Sequence, residues 1–142
     1  MNTTKGSPLG TNKETAKNLP DVRIILAVLW VARMLSSLNG DTYRLSDPVA
    51  LKALLANTGP VVASRELLLV MSIIFVVPIF MSFLTLTLKY PAIRWANIIV
   101  AVLVVVFNLF GLPYKGAYDN FLIIVSFVFN ALTVWYAWKW IA

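Results

Sequence analysis

Three stretches of this chain, roughly residues 67–88, 95–112 and 121–142, are strongly apolar and run almost without a charged side chain. Each holds about twenty residues, and at about 1.5 Å of rise per residue such a helix covers the roughly 30 Å hydrocarbon layer of a bilayer. A fourth stretch, residues 22–38, is shorter and carries Arg23 and Arg33. Its reading as a span rests on the apolar residues 24–32 and on the ability of long basic side chains to snorkel. A cleaved leader is the competing reading of that stretch. The long hydrophilic tail before it, the interruption at Arg33 and the missing small-residue cleavage site favour a retained helix.

The connections carry their own punctuation. Asn39-Gly40-Asp41 is expected to end the first helix, and Ser46-Asp47-Pro48 supplies a cap followed by a proline in the first turn. Residues 49–57 then gather leucines on one side before Thr58-Gly59-Pro60, which predicts a short helix at the outer membrane interface or over the bundle mouth. The connection 89–94 is too short for anything but antiparallel neighbours, and 113–120 reads as a tight hairpin. The expected fold is therefore all-α: an up-down-up-down four-helix bundle of membrane spans at about residues 22–40, 65–88, 92–112 and 120–141, with a short interfacial helix between the first two. Residues 1–20, rich in Thr, Asn, Lys, Gly and Pro, read as a polar tail ahead of a transmembrane domain of residues 21–142.

Charge adds direction to this picture. Twelve Lys and Arg against six Asp and Glu give a net charge of +6, but the cations are scattered between spans and not gathered on one face, which argues against nucleic acid as a partner. With four spans, Lys5, Lys13, Lys17, Arg23, Lys89, Arg94 and Lys139 share one side and Arg44, Lys52, Arg65 and Lys115 the other. The positive-inside bias puts both termini in the cytoplasm. Tyr90, Trp95, Trp135, Tyr136, Trp138 and Trp140 fall at the same cytoplasmic interface as an anchoring aromatic belt.

Composition then removes most chemistries. The chain has no histidine and no cysteine, so it offers no imidazole or thiolate to ligate a metal, haem or iron–sulfur cluster, and no cofactor is expected. No phosphate loop, serine elbow or intramembrane carboxylate pair occurs, and an enzyme is not expected.

Polar residues inside the spans are the remaining candidates. Asn97, Ala101, Val104 and Asn108 share one face of the third span, and Ser126, Asn130, Thr133 and Ala137 one face of the fourth. Phe75, Pro78, Ser82 and Thr85 follow a similar spacing on the second. Asn97, Asn108, Ser126, Asn130 and Thr133 thus form a candidate polar seam, either interhelical hydrogen bonding or the lining of a pathway. A buried arginine at Arg33 needs a partner, with Asp41 or Glu66 in reach, so Arg33, Asp41, Arg65 and Glu66 form a candidate ion-pair or anion site.

The motifs Arg94-Trp95-Ala96-Asn97-Ile98-Ile99 and Trp135-Tyr136-Ala137-Trp138-Lys139-Trp140, with Pro78-Ile79-Phe80-Met81 before them, resemble a family of small bacterial four-helix membrane proteins of unknown function. The resemblance covers about residues 22–142. It implies the four-span fold and no activity. Members of that family often carry glutamates at positions that look equivalent to Val77 and Ser126, so carboxylate-based transport is not implied for this chain.

Three roles follow as expectations. The first is an accessory or structural subunit packed against a larger membrane complex, or against itself, among membrane lipids. The second is a small homo-oligomeric transporter or channel protomer. The third is a lipid- or quinone-binding module.

Overall fold

The computed structural model describes residues 21–58, 64–110, 112 and 116–140. The polar tail 1–20 lies outside them. The described residues form five helices: α1 (Val22–Ser46), α2 (Pro48–Leu55), α3 (Arg65–Thr87), α4 (Ala92–Phe110) and α5 (Ala117–Lys139). Four of these, all but α2, are long and apolar enough to cross a membrane, which marks a multi-pass membrane protein. Their outward faces agree: Leu69, Ile73, Phe80 and Phe83 of α3 and Leu103 and Phe110 of α4 are all at least 60% exposed. That is far more apolar surface than a water-soluble protein presents.

Helix starts follow the side-chain chemistry. Asp21 accepts the Arg23 N–H at 3.0 Å to open α1, and the Ser64 hydroxyl accepts the Leu67 N–H at 3.2 Å to open α3. Asp47 takes the N–H groups of Val49 and Ala50 ahead of Pro48, so the expected short helix forms as α2.

The first helix differs from expectation at its end. Gly40 was the expected stop, yet α1 continues six residues further to Ser46. The physical reason is packing: Gly40 is buried, with its missing Cβ position 3.6 Å from the Leu122 side chain and 3.9 Å from Asp119. Here glycine is a close-approach residue inside a helix, not a terminator.

α1 is the centre of the assembly, packed broadly against both α3 and α5, and α5 packs in turn on α4. At one end of the α1–α5 pair, Arg23 lies over the Trp140 ring at 5.5 Å. At the other, Gly40 meets Leu122 and the rings of Tyr43 and Tyr118 sit 6.1 Å apart. In that register Ser36 falls opposite Ser126 and Arg33 opposite Asn130. α3 and α4 are joined by a short turn, yet they touch each other far less than each touches its other neighbour. The α3–α4 side of the bundle is its loosest.

Candidate functional site

Buried polar groups divide the interior into two levels. The lower is built on Asn97 of α4, which is fully buried with Trp30 and Thr85. The Trp30 indole N–H donates to Asn97 Oδ1 at 2.6 Å, and the Asn97 amide N–H groups donate to the Ile93 carbonyl at 2.8 Å and to Thr85 Oγ1 at 3.2 Å. The single Thr85 hydroxyl proton goes to the Met81 carbonyl at 2.6 Å. One amide therefore ties α1, α3 and α4 together with every donor and acceptor used. Chemically this is a plug: satisfied and closed.

Above it the interior is less content. Ser126 and Asn130 of α5 are 3% and 1% exposed and Arg33 of α1 is 7% exposed. Asn130 donates to the Ser126 carbonyl at 2.9 Å, but Asn130 Oδ1, Ser126 Oγ and Arg33 Nε have no hydrogen-bond partner among the described residues. Ser126 faces a crevice of about 80 Å³ that also takes in Ser36, Ser37, Asp41, Phe75 and Asn108, a volume that suits a few water-sized bodies. At its rim Arg44 donates through Nε to Asp119 at 3.0 Å and reaches Asp41 through Nη1 at 3.4 Å. Asp119 is the more buried carboxylate of the two.

The corner above this rim is fixed by Asp47. Besides capping α2, it accepts the Tyr118 hydroxyl of α5 at 3.1 Å. The N–H groups of Val49 and Ala50, helped by that hydroxyl, hold its carboxyl below the usual carboxylate range against a smaller opposing effect of desolvation.

The expected residues are therefore distributed unevenly. Asn97, Ser126, Asn130 and Thr133 are all buried in the helix seams, and Asn108 is half-buried on the crevice wall. The expected grouping of Arg33, Asp41, Arg65 and Glu66 does not form. Arg65 and Glu66 are exposed at the start of α3, and Asp41 pairs with Arg44. The reason is the uninterrupted α1, which carries Arg44 one turn beyond Asp41 and within reach of Asp119. Neither Arg44 nor Asp119 belongs to the ion-pair grouping expected from the sequence, although Asp119 lies one heptad before Ser126 and so on the same face of α5. Among the described residues no group of three carboxylates comes together to hold a metal ion.

The opposite end carries the aromatic residues. Trp95, Trp135, Tyr136 and Trp138 are exposed and Tyr90 is half-buried, but Trp140 is buried, its ring 5.6 Å from that of Tyr90. Trp140 is thus a core residue in place of the expected interface anchor, because Arg23 of α1 and Tyr90 close over it.

A family of unknown function, DUF6326, matches residues 18–141. The chain belongs to this family. In DUF6326 terms, the match takes in all five helices described above, and it agrees with the unknown-function family that the sequence resembles. No curated protein and no solved structure matches the chain.

Proposed function

We propose that this chain is a non-catalytic multi-pass protein of the bacterial cytoplasmic membrane, both termini inside, that serves as an accessory subunit packed against a larger membrane complex. The four long helices run up-down-up-down in this reading. The observation that carries it is the loosely closed α3–α4 side. Three walls of the bundle are formed by well-packed helix pairs and the fourth is not. Only Pro78, Met81 and Thr85 of the 23-residue α3 are buried, so the faces of that helix not packed on α1 are free to meet another apolar helix. Without a hydrophobic force between helices in lipid, such faces associate through shape and small or polar residues, and Phe75 and Asn108 border the opening.

Cross-linking in native membranes tests this reading directly. A photo-reactive residue in place of Ile73 or Phe80 is expected to capture a distinct membrane protein. A chain that migrates alone from every such position contradicts the subunit role.

The crevice favours a second reading, a small homo-oligomeric channel or transporter protomer. Ser126, whose Oγ has no partner among the described residues, and Asn108 line it and are groups a polar solute would meet. In a single chain the Trp30–Asn97–Thr85 plug blocks any continuation, so the pathway would need the plug to part. Reconstituted vesicles are expected to show solute flux that Asn108→Leu diminishes; no flux, or flux indifferent to that change, removes this reading.

A further inference from the structure

A separate concavity runs between α4 and α5, a groove of about 490 Å³ walled by Val102, Val106, Phe127 and Val134 and ending on Trp135 and Trp138. Its walls are apolar; the one polar residue there, Asn130, has its free oxygen turned away from the surface. Helix rise from Phe127 to Trp138 gives a length of about 16 Å, roughly half of the 30 Å hydrocarbon layer. With its aromatic end at the headgroup level, the groove spans the depth of one leaflet.

Two cations gather at that end. The Arg94 guanidinium lies 5.7 Å from the Trp95 ring and 5.8 Å from the Trp138 ring, and the Lys139 ammonium lies 4.1 Å from that of Trp135. Arg94 donates to the Tyr90 hydroxyl at 3.3 Å and the Trp138 carbonyl at 3.0 Å, which orients the guanidinium without neutralising it. Neither cation pairs with a carboxylate among the described residues; the ion pairs there belong to Arg44. Among the described residues Arg94 and Lys139 therefore face no carboxylate, and the groove between their aromatic platforms is apolar.

The geometry points to this groove as the binding site of one anionic glycerophospholipid, with an acyl chain laid between α4 and α5 and the phosphate held by Arg94 and Lys139. A docked helix fills the apolar part equally well but leaves the two cations unanswered. The inference needs the membrane reading of the four helices and not the subunit role, so failure of the cross-linking experiment leaves it standing.

The test uses the full chain in phosphatidylcholine vesicles containing a minor fraction of phosphatidylglycerol, with one lipid or the other brominated high in its acyl chains to quench tryptophan emission. Four of the five tryptophans lie at this end of the molecule. Brominated phosphatidylglycerol is expected to quench at a lower mole fraction than brominated phosphatidylcholine, by about fivefold for each contributing cation. Lys139→Gln, at an exposed position, should lower that preference, and Ala131→Phe, at an exposed position in the groove, should abolish it. Equal quenching by the two lipids, or a preference that survives Ala131→Phe, overturns the site. So does self-association that shields the tryptophans from both lipids.

Discussion

Asn97 shows how much a single amide can hold. Its oxygen and both amide protons are committed to α1, α3 and its own helix, and removal leaves the Trp30 indole and the Thr85 hydroxyl facing each other across apolar space. Asn97→Leu is expected to destabilise the fold by about 1–3 kcal/mol, the cost of stranded buried polar groups, read as an earlier midpoint in detergent-driven unfolding. Arg33 is the opposite case. Its Nε has no partner among the described residues, so Arg33→Met is expected to leave the unfolding midpoint unchanged or raised. A loss of about 3–5 kcal/mol is the signature of a broken buried ion pair and would contradict the unpartnered state. The buried amides and hydroxyls were legible from spacing alone, because a 4-3-4 pattern fixes which residues share a face. Their partners were not: Trp30 sits in the apolar run 24–32, where nothing local distinguishes an inward indole from one facing lipid.

At the scale of the element, Gly40 and Asp47 decide the shape of the α1–α2 corner. An added Cβ at Gly40 meets Leu122 at 3.6 Å, which is ordinary contact. Gly40→Ala is therefore expected to be tolerated and to gain up to about 1 kcal/mol of helix propensity, while Gly40→Leu pushes α1 from α5 and lowers the unfolding midpoint. Equal tolerance of both would contradict the close approach. Asp47 makes the corner sensitive to acid. Its carboxyl is held low in the folded state, so its contribution is complete above the unfolded value of about 3.9 and is lost as pH falls through the lower folded value. Hydrogen exchange of residues 49–55, corrected for intrinsic rates, should stay protected from neutral pH to about 4 and loosen below it; Asp47→Ala should loosen the same amides already at neutral pH. Four long apolar helices and the capped short helix followed from run lengths and from Asp47-Pro48. The length of α1 did not, because a glycine beside an asparagine reads locally as a stop and only a neighbouring helix reveals its use as a contact.

The whole molecule combines a closed plug, a small polar crevice above it and a bundle whose α3–α4 side is left loose. The proposed function sets the four long helices across a bilayer with the 56–58 and 116–117 regions on one side and the 88–91 turn on the other. The chain contains no cysteine, so single cysteines placed at the exposed Ala56, Lys89 and Ala117 can be interrogated without background. In intact cells, a small membrane-impermeant thiol reagent is predicted to label Ala56→Cys and Ala117→Cys, and to reach Lys89→Cys only after the membrane is opened. Labelling of Lys89→Cys from the same side as either of the others contradicts the four-span arrangement.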